Sequence, residues 1–115
     1  MKEYRGQRVS GGVEVTVDGR PLNPRYDLVP EITAEFEWGY DGAGPCRLAL
    51  AILAHFYDDD EKSVALHRQF VRAFLAQLQT DRWELAGDAI TSALESTVDV
   101  PLTLAELMQK ARDLR

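Results

Sequence analysis

The chain has 115 residues, of which 45% are hydrophobic, and it carries a formal net charge of −6. That length supports one hydrophobic core and is too short for two, and the hydrophobic fraction excludes a wholly disordered chain. Residues 26–115 carry a net charge of −8 against +2 in residues 1–25, so general binding to nucleic-acid phosphates is disfavoured.

Short strands are predicted in the first third of the chain. Residues 13–17 alternate apolar and polar side chains, which is the period of a half-buried strand. The dipeptide at residues 18 and 19, Asp-Gly, suits the left-handed backbone of a tight hairpin turn, so residues 20–22 are predicted as a short return strand. We also predict strands at residues 2–5 and 33–38.

The hydrophobic period becomes helical after Pro45, a residue that suits the first turn of a helix. Residues 46–57 are apolar on nearly all sides, which indicates a buried central helix. A second helix is predicted at about residues 61–79, with an inward stripe of Val64, His67, Val71, Phe74, Leu75 and Leu78. Further helices are predicted near residues 88–95 and from the capping-box sequence that begins at Thr103.

The order of elements, with strands first and helices after them, predicts an α+β fold. In this fold a small antiparallel sheet of three or four short strands, within residues 1–40, packs against about four helices within residues 45–115. Residues 83–85 are predicted as a further packed segment. The sequence has no internal repeat and no low-complexity tract, so residues 1–115 are predicted to form a single domain.

The compartment is predicted from features that the sequence lacks. No apolar run reaches the ~18 residues that cross a bilayer, and the first residues have no apolar segment typical of a signal peptide. The one cysteine, Cys46, has no partner for an internal disulfide. We therefore expect a cytoplasmic protein that does not contact membranes.

The glycine-rich turn at residues 38–45, WGYDGAGP, is the strongest candidate for a recognition surface. Its glycines allow close approach of another molecule, and Trp38 and Tyr40 supply aromatic contact area. Asp41 precedes a helix whose N-terminal amides, together with Arg47, can bind an anion. The alternative is a tight strand-to-helix turn in which Asp41 caps the helix and Trp38 packs in the core. The spacing fits neither a Walker A loop nor a dinucleotide fingerprint.

No catalytic set, metal site or cofactor site is predicted from the remaining polar residues. The acidic run at residues 58–61 lacks the glycine and glutamate spacing of a calcium loop and suits the start of a helix. His55 and His67 have no second ligand at a metal-binding interval. Cys46 has no paired base to make it a nucleophile.

The stretch FEWGYDGAGPCRLALAIL, preceded by VTVDGRPL and followed by a WEL segment, resembles the uncharacterised family catalogued as domain of unknown function 6166. The resemblance extends from about residue 4 through the short helix after residue 85. Members of that family are small proteins of bacteria, archaea and phages, so the resemblance implies a mobile-element setting and no assigned chemistry. The family pattern prefers glycine where this chain has Asp41 and glutamine where it has Arg47.

From these features we expect a non-enzymatic protein-binding module with Trp38, Tyr40, Asp41 and Arg47 at its contact surface. The acidic charge favours a basic partner such as a nucleic-acid-binding protein, although a charge of this size also serves solubility alone. The phage setting implied by the resemblance favours an accessory factor or an inhibitor of a host defence protein. The alternative is a small anion- or nucleotide-binding domain at the start of the helix of residues 45–57. Self-association as a homodimer, through the apolar C-terminal helix, is a third interpretation.

Overall fold

The computed structural model describes residues 2–99. Its strands are β1 (Glu3–Val9), β2 (Gly12–Val17), β3 (Arg20–Pro21) and β4 (Arg82–Ala86). They form one antiparallel sheet in the order β3-β2-β1-β4. The helices of the described residues are α1 (Ala43–Tyr57), α2 (Asp60–Ala73) and α3 (Gly87–Asp99), and a single 3-10 turn spans Leu75–Gln77. The predicted α+β class and antiparallel sheet are therefore confirmed.

Turn chemistry determines the two hairpins. β1 and β2 are joined at Ser10 and Gly11, and Gly11 has a φ of 88°. β2 and β3 are joined at Asp18 and Gly19, which have φ values of 50° and 85°. In the β2–β3 turn both central residues therefore have positive φ, the geometry that matches the twist of the flanking strands. The hairpin predicted from the Asp-Gly dipeptide is therefore confirmed.

The predicted strand at residues 33–38 is wrong. That segment pairs with no strand, and β4 instead occupies the second edge of β1, from Glu3 opposite Ala86 to Gln7 opposite Arg82. Both segments alternate apolar and polar residues, so the period alone does not determine which of them pairs. As a result, residues 22–42 contain no helix and no strand.

The helix boundaries differ from the prediction at several points. α1 begins at Ala43, and its N-cap Gly42 makes no side-chain hydrogen bond, so Asp41 does not cap it. α2 is capped by Asp59, whose carboxylate accepts from the backbone N–H of Lys62 at 3.0 Å. The acidic run at residues 58–61 thus lies around the start of a helix, as predicted.

The inward stripe of α2 is only partly as predicted. Val64 is exposed, whereas Phe70, which the prediction left out, is fully buried. α2 also ends at Ala73, and the chain continues into the 3-10 turn. Three α-helices are present within residues 2–99, and the helix predicted from Thr103 lies outside the described residues. The predicted count of about four is therefore not confirmed.

The main core lies between the inner face of the sheet and the three helices. The sheet contributes Tyr4, Val15, Val17, Trp83 and Leu85, and the helices contribute Leu48, Ile52, Leu53, Phe70, Val71, Ile90 and Leu94. Gly6 lies opposite Trp83 in the β1–β4 pair, and the indole ring occupies the space that a Cβ at residue 6 would need. Within residues 2–99, none of the helices combines the length and the apolar character needed to cross a membrane.

Candidate functional site

The structure separates the four predicted contact residues into two pairs. Trp38 and Arg47 are buried in the protein, whereas Tyr40 and Asp41 are exposed. The expectation that Trp38 and Arg47 form part of an open contact surface is therefore corrected. Both side chains instead lie beneath the loop of residues 22–42 and hold it against the rest of the domain.

Arg47 anchors the first half of this loop. Its Nη1 donates to the carbonyl oxygens of Pro24 at 3.3 Å and of Arg25 at 2.6 Å, and its Nη2 donates to those of Val29 at 3.0 Å and Ile32 at 2.6 Å. Burial lowers the pKa of Arg47, yet a guanidinium stays protonated in proteins. One buried cation therefore holds four backbone carbonyls of the loop in a fixed arrangement.

The loop curls around this guanidinium in two successive turns. The N–H of Leu28 donates to the carbonyl of Arg25 at 3.0 Å, and the N–H of Ile32 donates to the carbonyl of Val29 at 3.0 Å. Arg25 and Val29 have positive φ values of 53° and 48°. For a β-branched residue such as Val29 this backbone is strained by on the order of 1–3 kcal/mol, and such strain persists only where surrounding contacts impose it. The bonds from Arg47 are contacts of that kind.

Trp38 anchors the second half of the loop. Its Nε1 donates to the carbonyl of Thr80 at 2.9 Å, and its ring packs edge-on against Trp83 with 5.7 Å between ring centres. The guanidinium of Arg8, on β1, lies 4.6 Å from the centre of the Trp38 ring and also donates to the carboxylate of Glu37 at 2.6 Å. Both halves of the loop are thus tied to buried side chains.

The exposed part of the loop combines aromatic and acidic side chains. Tyr26 is 46% exposed and Tyr40 is 50% exposed, and the ring of Tyr26 lies 5.0 Å from the guanidinium carbon of Arg47. The acidic residues of the loop are Asp27, Glu31, Glu35, Glu37 and Asp41, against a single basic residue, Arg25. Hydrogen bonds to Asp27 and Asp60, each at 2.9 Å, raise the pKa of Arg25. Its guanidinium is therefore already paired with two carboxylates.

A second polar region lies at the C-terminal end of α1. A cavity of about 400 Å³ is lined there by Lys2, Asn23, Arg25, His55 and other residues. The Tyr4 hydroxyl lies 2.9 Å from Nδ1 of His55, and burial raises the pKa of Tyr4 and lowers that of His55. At neutral pH both groups are therefore uncharged. The Lys2 ammonium donates to the His55 carbonyl, and the Tyr4 side chain is fully buried, so these polar groups bond to one another inside the fold.

Other residues considered from the sequence have structural environments. Burial raises the pKa of the Cys46 thiol, which is the opposite of activation as a nucleophile. No group of three or more His, Cys, Asp or Glu side chains is placed to hold a metal ion in the described part of the chain. His67 is buried in α2, with its Nδ1 donating to the carbonyl of Val64 at 2.6 Å.

His67 makes stability depend on pH. Burial is the main cause that lowers its pKa, and Arg68 and Arg47 add to the effect. The unfolded chain takes up this proton near pH 6.5, about the ordinary histidine value, but the folded chain takes it up only at lower pH. The stability that neutral His67 contributes is therefore complete above about pH 6.5. It is lost as pH falls from there through the lower pKa of the folded chain.

We expect a shallower fall in the free energy of unfolding for His67→Gln than for the wild-type chain between about pH 7 and about pH 5.5. Urea titrations at several pH values measure it. His55, whose pKa is also lowered by burial, supplies a second variant, and His67→Gln/His55→Gln is expected to flatten the profile further. Identical slopes in all three proteins would contradict the assignment.

The described residues thus form an α+β domain that presents a long acidic loop held from below by a buried arginine and a buried tryptophan. The chain belongs to the Family of unknown function (DUF6166), whose model matches residues 4–96. No match was found among curated proteins or among solved structures.

Proposed function

We propose that the chain is a non-enzymatic protein-binding module whose recognition element is the loop of residues 22–42. The observation that carries this proposal is the burial of Arg47 beneath the loop, where it donates to four loop carbonyls. Loops of this length without regular structure are uncommon in small domains and, when ordered, are usually functional. A loop whose shape is fixed before binding loses less conformational entropy when a partner binds.

The exposed side chains of the loop suit protein recognition. Tyr26 and Tyr40 are two of the four large hydrophobic residues exposed in the described part of the chain. Tyrosine is enriched among the residues that dominate binding energy at protein interfaces, because it buries a large area with few rotatable bonds. These two tyrosines are therefore the proposed anchors, and Asp41 is proposed as an exposed acidic contact beside Tyr40.

The charge of the loop supports a basic partner. Five acidic residues and a single arginine lie within residues 22–42. Arg25, Arg8 and Arg72 pair with Asp27, Glu37 and Asp41, so the surplus negative charge of the loop lies on Glu31 and Glu35. Electrostatic complementarity speeds association and selects partners of opposite charge. A nucleic-acid-binding protein has such a basic surface, and covering it would make this chain an accessory factor or an inhibitor of a host defence protein. This narrower role is part of the same proposal and rests on charge complementarity alone.

The start of α1 offers little to an anion. The Arg47 guanidinium donates to the loop carbonyls, and Gly44 is buried beside Glu37, the Tyr40 hydroxyl and the Glu35 carbonyl. Pro45 has no N–H to offer, so an anion at this helix end would meet a buried Gly44, few exposed amides and no free guanidinium. We do not propose the anion- or nucleotide-binding alternative. The homodimer interpretation used the helix predicted from Thr103, which lies outside the described residues.

The experiment is affinity capture from a nuclease-treated lysate of the source organism, with the folded chain as bait. We expect Tyr26→Ala/Tyr40→Ala to retain the partner about tenfold less well than the wild-type bait, because it removes both aromatic anchors. Val9→Ala is the matched control, since Val9 is 42% exposed and lies on β1 outside the loop. Equal thermal unfolding of the three baits would show that the change is local.

Two results would contradict the proposal. One is retention of the same partner by the double variant and by the wild-type bait, which would place binding elsewhere on the surface. The other is that the wild-type bait retains no protein specifically after nuclease treatment.

A further inference from the structure

A shallow groove lies where the anchored loop meets the start of α2. Its lining residues are Leu28, Asp60, Glu61, Val64 and Ala65, and its volume is about 390 Å³. We name it the α2 groove. Leu28 forms its inner wall and packs on a small separate cluster with Leu50 and Ala54, whereas Val64 is 38% exposed. The groove is therefore apolar at its base and open to solvent.

The rim of the α2 groove is acidic. Residues 58–61 are four consecutive acidic residues, and Asp27 lies on the loop beside Leu28. Three cations lie on the elements that line the groove: Arg25 bonds to Asp27 and Asp60, the Lys62 ammonium lies 4.0 Å from the centre of the Tyr57 ring, and Arg68 follows Val64 by one helical turn of α2. The carboxylates at this end of α2 therefore outnumber the positive charges that could neutralise them.

The position of Val64 distinguishes the groove from an ordinary exposed side chain. Single exposed apolar residues are common and need no explanation. Val64, however, shares a concave lining with Leu28 and is flanked by Asp60 and Glu61. A concave apolar site with charged residues at its rim is the arrangement in which a partner side chain is buried and its flanking charges are paired.

We propose that the α2 groove takes an apolar side chain from a basic segment of the partner protein, with a lysine or arginine of that segment beside Glu61, which forms no ion pair among the described residues. Charge complementarity selects this occupant. The acidic rim repels nucleic acid and anionic lipid, and it would face an equally acidic rim in a second copy of the chain. This inference rests on the proposed function and adds the chemistry of the partner.

The test uses a synthetic helical peptide with leucines on one face and lysines beside them. The folded chain is labelled at its leucine, valine and alanine methyl groups, and the peptide is titrated in by NMR. The expected result is a saturable shift of the Leu28, Val64 and Ala65 methyl signals that weakens at higher salt. A peptide of the same length with glutamate in place of lysine is expected to cause no shift.

Matched variants locate the contact. We expect Val64→Glu to weaken peptide binding about tenfold or more, because it places a carboxylate inside the groove. Val9→Glu introduces the same charge at a valine of similar exposure on β1 and is expected to leave the affinity unchanged. Both substitutions are at exposed positions, and retained methyl dispersion checks the fold.

Three outcomes would overturn the assignment: no shift with the basic peptide, equal loss of binding in both variants, or groove shifts that appear on raising the concentration of the chain alone. The last outcome would indicate a second copy as the occupant. The lysate experiment separates this inference from the proposed function. If a Val64→Glu bait still retains the partner that Tyr26→Ala/Tyr40→Ala loses, the groove assignment is wrong and the loop proposal stands.

Discussion

Arg47→Met is expected to lower the free energy of unfolding by about 2–5 kcal/mol, because each loop carbonyl left without a hydrogen bond costs about 1–3 kcal/mol. Methionine fills a similar volume and suits a helix, so the loss comes from the hydrogen bonds. Arg25 and Val29 keep a turn N–H on their carbonyls, but no other hydrogen bond to the carbonyls of Pro24 and Ile32 is seen in the described residues. The substitution also removes the cost of burying a charged guanidinium, and this gain offsets only part of the loss.

Urea unfolding of the wild-type chain and of Arg47→Met measures the effect. Arg68→Met is the matched control, because Arg68 is an exposed arginine on α2, and exposed substitutions usually change stability by about 0.5 kcal/mol or less. A loss below about 1 kcal/mol for Arg47→Met would show that the four hydrogen bonds add little to folding. We also expect Arg47→Met to make residues 22–34 the first site of proteolytic cleavage, since the loop loses its anchor.

Trp38→Ala is expected to cost about 3–5 kcal/mol, the usual range for truncating a buried tryptophan. The substitution removes the contact with Trp83, the ring under Arg8 and the hydrogen bond to the carbonyl of Thr80. It also leaves a cavity close to the point where the loop meets the 3-10 turn, at which the N–H of Gly39 donates to the carbonyl of Leu75. The second half of the loop is therefore expected to loosen.

Trp38→Phe is a smaller change at the same position. Phenylalanine keeps a buried aromatic ring but is smaller and lacks the N–H, so we expect a smaller loss of about 1–3 kcal/mol from the lost hydrogen bond to Thr80 and the reduced packing. Glu35→Ala, an exposed change on the same loop, serves as the control. Equal stability of Trp38→Ala and Glu35→Ala in urea unfolding would contradict the buried position of Trp38.

Local chemistry made much of the fold predictable. The Asp-Gly turn, the alternation at residues 13–17 and the apolar run of α1 each depend on neighbouring residues, and each matches the structure. Pairing of β4 with β1 joins residues nearly eighty positions apart, and no local pattern encodes it. The alternation at residues 33–38 therefore predicts a strand that the structure does not contain.

The site was harder to predict because its acceptors are backbone groups. The Arg47 side chain was visible in the sequence as an isolated cation within an apolar helix. Its partners are carbonyl oxygens of residues 24–32. Every residue type has such an oxygen, so the sequence does not indicate which ones the guanidinium contacts. An unpaired arginine at a buried helix position, with a proline-containing irregular segment before it, is the pattern that would have indicated an anchor.

If the buried Arg47 and Trp38 hold the loop, residues 22–42 are ordered before any partner binds, and backbone ¹⁵N relaxation of the free chain measures that order. We expect order parameters in this loop near those of α1 and α2, about 0.85. Values below about 0.6 across residues 22–34 would show a flexible segment that Arg47 does not hold. In that case the loop would not be a preformed recognition element, and the proposed function would lose the observation that carries it.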